Sequence, residues 1–305
     1  MKVEKLYAPG ETGRTAGANP LPFKTSVITD EIDQDFETAC DLACEFGLDA
    51  VEVRSVYEHG PFEFTDDDTG RIKKILANKG LKICAISSPF FKCKINSPDE
   101  INANLEGLRR CVRLSDELGV SLIRGFTFWA EPGVTAGTIA SRFPEAVKIL
   151  EASGKTLVLE SDPSVNATNA RMIVDVVEKI NSPNVRALWD AGNDLWDPHG
   201  EVPYPDGYEI IKKYMVHVHL KDGRRKAGTP EGAPIGQGDV DWLGQFRALK
   251  NDGYSGYISL ETHYRHSGKI SEALIAMPKG AAFSLGGYEA TKESLGLWKN
   301  MLAKL

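Results

Sequence analysis

The 305-residue sequence lacks the features that mark a membrane, secreted or nucleic-acid-binding protein. No apolar run approaches the roughly 20 residues that a membrane-spanning helix needs. The opening residues MKVEKLYAPGETGRTAGANP contain no apolar stretch of the kind found in a secretory signal. Lys and Arg number 36 against 43 Asp and Glu, and this net charge of −7 gives no attraction for a polyanion. We therefore expect neither a membrane nor a nucleic-acid partner.

Cysteine is also scarce, with five residues and no CxxC pair. An odd number, all before residue 112, is typical of reduced thiols rather than of a disulfide framework. This composition predicts a cytoplasmic protein. Residues 1–22 are polar and are predicted to form an arm ahead of a single domain that spans residues 23–305. The arm is a candidate contact in a homo-oligomer.

Eight short apolar, strand-like runs recur along the chain with amphipathic stretches between them. The runs begin at Thr25, Asp49, Leu81, Val120, Thr156, Val185, Met215 and Tyr257. In the stretches between them, apolar residues recur three and four positions apart, as in a helix that lies on a sheet. Eight such units in about 280 residues match the size of a (β/α)₈ barrel. An open doubly wound sheet is the alternative, but no GxGxxG motif follows the first run. We predict the α/β class and a single (β/α)₈ TIM barrel.

Each of the last four predicted strands ends in a residue that can bind a metal ion. Glu160 closes TLVLE, Asp190 closes RALWD, His219 closes VHVH and Glu261 closes YISLE. The carboxyl ends of barrel strands share one rim, so these side chains are expected to be neighbours. A single carboxylate after a strand is usually a helix N-cap, but four consecutive units of this kind are hard to explain by capping. The sequence therefore predicts a shared site.

Three carboxylates that converge in a buried site would repel one another, at a cost of several kcal/mol each. One divalent cation would remove that cost. Three oxygen donors and one imidazole suit Mn²⁺ best, and Mg²⁺, Co²⁺ and Zn²⁺ are also compatible. We predict one bound divalent metal ion.

Strand alternation separates the two histidines of MVHVHLKD. His217 and His219 face the same way, and His219 lies nearer the rim, so it is the preferred ligand. His217 is expected to be a hydrogen-bonded core residue. By the same alternation, Asp162 and His263 lie just beyond the predicted glutamate ligands and are candidates for substrate binding. Lys221 follows at the rim and would either bind a substrate oxygen or lie in solvent.

The segments LVLESDPSVN, VRALWDAGND, VHVHLKDG and ISLETH resemble the xylose isomerase-like TIM barrel superfamily, in particular its sugar phosphate isomerase/epimerase group. The resemblance implies that the four strand-end residues hold the metal. It further implies that Glu160 and Glu261 exchange a proton with a ketose through an enediolate, which would make the chain an isomerase or epimerase acting on a sugar or polyol. A lyase or dehydratase acting at the same site is the alternative, followed by a non-catalytic sugar-binding subunit.

The resemblance also implies substrate contacts. Arg225 matches a substrate-binding arginine of the epimerases, and Glu52 would either reach substrate or form part of a salt-bridged barrel interior. Ketose 3-epimerases carry a histidine at the position of Asn193, which can donate a hydrogen bond but cannot take up a proton. They also carry a glutamate at the position of Asn166. The predicted substrate-binding residues are Asn193, Lys221, Arg225, Glu52 and His263.

Overall fold

A computed structural model describes residues 21–226 and 229–305 of the chain. The predicted arm therefore lies outside the described residues, apart from its last two positions. All five cysteines are free thiols, as predicted.

Eight parallel strands form one sheet that curves into a barrel, which confirms the predicted fold. The barrel strands are β1 Lys24–Val27, β2 Val51–Val53, β3 Ile83–Phe90, β4 Leu122–Gly125, β5 Thr156–Glu160, β6 Val185–Asp190, β7 Met215–Leu220 and β10 Tyr257–Leu260. Two further strands, β8 Gly223–Lys226 and β9 Thr229–Gly232, form a hairpin between β7 and β10. Strands β2 to β7 pair with their neighbours in chain order, and β10 pairs with both β7 and β1, which leaves β1 and β2 at the two ends of the sheet. The antiparallel β8–β9 hairpin is an insertion after β7 that the sequence analysis did not predict.

The barrel closes between β1 and β2 through a few backbone contacts. The Thr25 carbonyl accepts hydrogen bonds from the backbone N–H groups of Asp49, at 2.9 Å, and Ala50, at 3.2 Å. Farther along, Ile28 and Glu52 form an isolated parallel bridge. These contacts hold Glu52 against the neighbouring strand.

Helices cover the outside of the barrel, as the amphipathic stretches predict. They are α1 Phe36–Glu45, α2 Asp66–Lys79, α3 Pro98–Leu118, α4 Ala136–Ala140, α5 Pro144–Ser153, α6 Ala170–Ile180, α7 Tyr208–Ile211, α8 Trp242–Asn251, α9 Glu272–Ala276, α10 Gly280–Ser284 and α11 Gly287–Leu302, with short helical turns at Thr29–Glu31, Asn193–Trp196 and Pro203–Gly207. The side chains of Thr65 and Ser97 cap the first turns of α2 and α3. Gly80 and Gly119 end these helices with φ values of 65° and 68°, a conformation that glycine adopts without strain.

The loop after β7 is organised around the buried carboxylate of Asp222. It accepts hydrogen bonds from the backbone N–H groups of Gly223 at 2.8 Å, Gly236 at 2.9 Å, Gly238 at 3.0 Å and Val240 at 3.3 Å. A Cβ atom on Gly238 would overlap the Asp222 carboxylate, so the close approach of this backbone requires glycine. One side chain thus joins the end of β7 to the segment that enters α8.

We expect Asp222→Ala to lower the free energy of unfolding by about 3 kcal/mol or more, because it leaves several backbone donors without an acceptor. Urea denaturation would measure the loss. Asp239→Ala is the matched control, since the Asp239 carboxylate accepts one backbone N–H, that of Arg225, at an exposed position. A loss of similar size in both variants would contradict this account of the loop.

The loop after β6 contains a second buried carboxyl group, that of Asp194. Neither of its oxygens accepts a hydrogen bond from the described residues. Burial raises the pKa of Asp194 well above its ordinary value, and the neighbouring carboxylates of Glu201, Asp190 and Asp197 raise it further. Asp197, in contrast, accepts hydrogen bonds from Asn169 at 3.2 Å and from the Glu201 backbone at 3.1 Å. Although burial opposes it, such hydrogen bonding lowers the pKa of Asp197.

The opposite pKa shifts of Asp194 and Asp197 predict opposite effects of pH on the free energy of unfolding. An unfolded aspartate has a pKa of about 4, so above that pH the folded chain holds the Asp194 proton more tightly than the unfolded chain does. The contribution of Asp194 to the free energy of unfolding therefore falls as pH rises. In metal-free buffer, we expect Asp194→Asn to lose less thermal stability than the wild type between about pH 5 and about pH 8.

Asp197→Asn is the comparison variant, because the contribution of Asp197 to the free energy of unfolding changes with pH in the opposite direction. The stabilisation from Asp197 is present at neutral pH and is lost in acid, so this variant should melt below the wild type at neutral pH and approach it in acid. Equal dependence of melting temperature on pH in the wild type and Asp194→Asn would refute the assignment.

Candidate functional site

The fold brings the four predicted metal ligands together at the carboxyl ends of four adjacent strands. Glu160 ends β5, Asp190 ends β6, His219 lies in β7 opposite Asp190, and Glu261 follows β10. One donor atom from each side chain can be chosen so that all four lie within 4.8 Å of one another. All four residues are buried, with at most 2% of their surface exposed. Strand alternation and register produce this convergence.

A cavity of about 290 Å³ opens above this cluster, which we call the carboxylate cluster. Its walls include most of the residues proposed from the sequence. Those that line it are Glu160, Asp162, Asn193, Lys221, Glu261 and His263. Among the other wall residues are Lys92, Arg124, Phe126 and Trp196. Acidic, basic and aromatic groups thus face one small space, an arrangement that suits a polar ligand with apolar ring faces.

Two of the predicted substrate contacts, Glu52 and Arg225, lie away from this cavity. Glu52 is fully buried on the barrel axis, where it contacts His217 and His219, so the structure agrees with the salt-bridged interior. Arg225 lies in strand β8 of the hairpin with its side chain in solvent. Arg225 lies away from the cavity because it belongs to the inserted hairpin, which no pattern in the sequence predicts. His217 is a hydrogen-bonded core residue, as predicted.

Basic side chains of the barrel reach into the carboxylate cluster. Lys221 Nζ lies 2.6 Å from Glu261 Oε2 and 2.8 Å from Asp190 Oδ2. Arg124 Nη1 lies 3.1 Å from Glu160 Oε2. Sequence reasoning missed Arg124, although a buried arginine within the apolar strand segment LIRG was the available signal. These cations hold the carboxylates in fixed orientations.

Arg54 links Glu261 of the cluster to two further carboxylates, Asp30 and Glu31, which follow β1 in the chain. Its guanidinium contacts Asp30 at 3.0 Å, Glu31 at 2.7 Å and Glu261 Oε1 at 2.5 Å. His263 lies beside the same groups, with Nε2 3.3 Å from Glu31 and 3.5 Å from Glu261. Burial lowers the pKa of His263 to about 4, so its imidazole is neutral at physiological pH.

Acidic groups outnumber basic ones around the barrel mouth. The carboxylates there are Asp30, Glu31, Glu52, Glu160, Asp162, Asp190 and Glu261. The Lys and Arg side chains paired with them are Arg54, Lys92, Arg124, Lys221 and Arg265. With the carboxylates ionised and the histidines left out, this set has two more negative than positive charges. Such an excess is costly in a buried site unless a further cation compensates it.

Asp190 is the carboxyl group of the cluster whose ionised form is least favoured, since its pKa is raised while those of Glu160 and Glu261 are lowered. Burial raises its pKa to about 7, against the opposing charge of Lys221, and Glu261 and Glu160 raise it further. Its Oδ2 atom is buried and has no hydrogen bond of good geometry, although Lys221 Nζ lies 2.8 Å away. An incompletely satisfied carboxylate oxygen in a group of three carboxylates and one imidazole fits a divalent metal ion.

The two glutamates of the cluster are ionised. Burial opposes this in both. Contacts with His219 and Arg124 nevertheless lower the pKa of Glu160, and Lys221 lowers that of Glu261 well below its ordinary value. Carboxylates in this state can accept a proton from a bound molecule.

Two asparagines occupy the positions at which the resemblance implies a histidine and a glutamate. Asn193 lines the cavity, and its Nδ2 donates to the Ser161 carbonyl at 2.8 Å and to Glu160 Oε1 at 3.4 Å. Asn166 instead ties two loops together: its Nδ2 donates to the carbonyls of Thr127, at 2.9 Å, and Trp129, at 3.0 Å. Asn193 therefore belongs to the site, and Asn166 is a structural residue.

Comparison with known proteins identifies the family to which the fold belongs. Residues 40–285 match the family model described as xylose isomerase-like TIM barrel. The L-ribulose-5-phosphate 3-epimerase UlaE of Salmonella heidelberg is 24% identical over 234 residues, which cover 72% of this chain and 79% of that protein. Other curated relatives of this name are matched over 55% to 59% of their length.

Solved structures agree in fold. The D-allulose 3-epimerase of Methylomonas sp., solved with D-allulose, superposes with a TM-score of 0.70 and 16% identity, covering 92% of this chain and 98% of that one. The probable 3-DHS dehydratase AsbF of Bacillus anthracis also gives a TM-score of 0.70 at 16% identity, covering 91% and 99%. In the described part of the chain, no helix combines the length and apolar character needed to cross a membrane.

The family match covers most of the barrel and includes all four strand ends that form the carboxylate cluster. The chain belongs to the xylose isomerase-like TIM barrel family.

Proposed function

We propose that this protein is a divalent-metal-dependent isomerase or epimerase of a ketose or keto-sugar derivative. The observation that carries the proposal is the carboxylate cluster, in which Glu160, Asp190, His219 and Glu261 place four donor atoms within 4.8 Å of one another beneath a polar cavity. The excess of negative charge there supports a cation of charge two. Mn²⁺ is the expected ion, and Mg²⁺, Co²⁺ and Zn²⁺ suit the same donors.

When bound, such an ion polarises a carbonyl group and reduces the cost of negative charge on its oxygen. The remaining chemistry belongs to the chain. Glu160 and Glu261 are the two ionised carboxylates that both line the cavity and belong to the cluster. One takes the proton from the carbon beside the substrate carbonyl, and the C–H electrons pass into an enediolate. The other glutamate gains a proton from solvent once the first has been neutralised, and it returns that proton to carbon.

The carbon that receives this proton decides the product. Return to the opposite face of the same carbon gives an epimer, and return to the neighbouring carbon gives an isomer. The named activities of the ribulose-5-phosphate and allulose 3-epimerase relatives support a proton transfer of this kind. In this chain the uncharged Asn193 amide replaces a histidine beside Glu160, so the proton transfers fall to the two glutamates.

Other cavity side chains would bind the substrate. Lys221, Arg124 and His263 surround the two glutamates and can contact sugar oxygens. Asn193 would donate to a hydroxyl group. Asp162 is held by Lys92 at 2.8 Å on the cavity wall, where it can accept a hydrogen bond from another hydroxyl.

Metal removal gives the first test. We expect dialysis against EDTA to abolish turnover of a ketose panel that includes D-allulose and L-ribulose 5-phosphate, and we expect Mn²⁺ to restore it. The physical reason is that the donor set carries uncompensated charge without the ion. Metal analysis of the purified protein with sugar product analysis measures both effects. Full activity in protein shown to contain no metal would end the proposal.

Glu160→Gln gives the second test. We expect this variant to retain some bound metal, since the amide oxygen can still coordinate, and to lose roughly 10²- to 10⁴-fold in turnover, since an amide cannot take the proton. Glu231→Gln is the matched control on the same cavity wall, outside the carboxylate cluster. Near-normal turnover by Glu160→Gln with full metal would contradict the assigned role.

Running the reaction in D₂O identifies the reaction type. Solvent deuterium in a stereoisomer or positional isomer of the ketose is expected. Release of water or of an aglycone, without an isomeric sugar, would replace the isomerase with a lyase acting through the same base.

A further inference from the structure

Glu52 is a buried carboxylate on the barrel axis that the proposed reaction does not use. It lies in the middle of β2, and its side chain has no exposed surface. Its Oε2 lies 2.7 Å from His217 Nε2, and its Oε1 lies 3.0 Å from His219 Nε2. Ser87 donates a further hydrogen bond to Oε1. Both carboxylate oxygens therefore have partners.

The two histidines are the ion-pair partners of Glu52 among the described residues. Arg54 lies two positions away in the sequence but pairs with Asp30, Glu31 and Glu261 instead. A buried carboxylate without donors would cost several kcal/mol. An Nε2 atom without a hydrogen would direct its lone pair at a carboxylate oxygen 2.7 or 3.0 Å away, so we infer that the Nε2 atoms of both imidazoles carry hydrogens directed at Glu52.

This hydrogen-bond direction determines what the other side of the His219 ring can do. In a neutral imidazole, a proton on Nε2 leaves the lone pair on Nδ1. His219 Nδ1 lies 3.0 Å from Glu160 Oε1 and 3.7 Å from Glu261 Oε2. With the hydrogen on Nε2 held by Glu52, Nδ1 is the nitrogen that faces the carboxylate cluster, where a bound cation would take its lone pair.

We propose that Glu52 is a positioning residue that holds His219 in the Nε2–H form and so presents Nδ1 to the divalent cation. The inference rests on the proposed function, because it concerns the same cation. A carboxylate behind a metal-bound histidine fixes the ring and makes it a better ligand. Glu52 thus acts on the metal through His219 and does not touch the substrate.

His217 provides an internal comparison. It donates to the same carboxylate, but its Nδ1 is buried without a hydrogen-bond partner in the described chain. Glu52, His217 and His219 are themselves close enough to form a different metal site. The carboxylate cluster has the greater charge and borders the cavity, so we assign the ion to it and keep Glu52 outside the set of ligands.

The first experiment is titration of EDTA-treated, full-length protein with Mn²⁺ in a calorimeter. We expect Glu52→Gln to bind Mn²⁺ roughly 10- to 100-fold more weakly than the wild type. A glutamine offers only one acceptor oxygen, so one of the two imidazoles loses its partner. His217→Gln is the control and should change Mn²⁺ affinity far less. Loss of Mn²⁺ binding in His217→Gln would instead place the ion between the two histidines and overturn the proposal.

The second experiment needs no variant and so does not depend on Glu52→Gln folding. In wild-type protein with ¹⁵N-labelled histidine and bound Zn²⁺, long-range ¹H–¹⁵N correlation identifies the protonated nitrogen of each ring. We expect a proton on Nε2 of His219 and none on Nδ1. A proton on Nδ1, with Nε2 bound to the metal, would overturn the proposal.

The outcomes separate this inference from the proposed function. Turnover could prove metal-dependent while the wild type and Glu52→Gln bind Mn²⁺ equally tightly. That result would remove the role of Glu52 and leave the enzyme assignment intact. Failure of wild-type protein to bind any divalent ion removes the enzyme assignment, and the inference falls with it.

Discussion

The site depends on one constraint, the accumulation of buried negative charge at the carboxyl ends of the barrel strands. Water would stabilise these carboxylates at a surface, but here nearly all of them are buried. Their mutual repulsion would favour opening of the barrel mouth unless opposite charge is supplied. The arrangement of the surrounding side chains follows from this requirement.

The chain supplies part of the compensation itself. Arg54, Arg124 and Lys221 each contact one or more carboxylates of the cluster. These contacts fix the directions in which carboxylate oxygens point, and a fixed donor set binds a metal ion with little reorganisation. The compensation is incomplete, as the raised pKa of Asp190 shows. The cation proposed above would complete a site that the protein has already shaped.

The same constraint explains the hydrogen bonds below and beside the cluster. Glu52 lies beneath His219 and gives its imidazole a defined orientation. Beyond the rim, the Asp222 carboxylate gathers backbone N–H groups and holds the loop that follows β7. Lys221 lies between His219 and Asp222 in the sequence, so its position at Glu261 depends on both anchors.

The sequence by itself determined the barrel, its eight strands and the four side chains of the carboxylate cluster. Side chains alternate along a strand, and all strands of a parallel barrel end at the same rim. The position of a residue that ends a strand can therefore be predicted from the local sequence. Partners that are distant in the sequence were decided only by the tertiary structure. Arg124 meets Glu160 between neighbouring strands, and Glu52 meets His219 across the barrel interior. No local pattern encodes which buried charges become neighbours. The position of Arg225 was likewise decided by the inserted hairpin, which no hydrophobic periodicity in the sequence predicts. Local rules place each side chain on a face, whereas pairing of buried charges depends on the closed barrel as a whole.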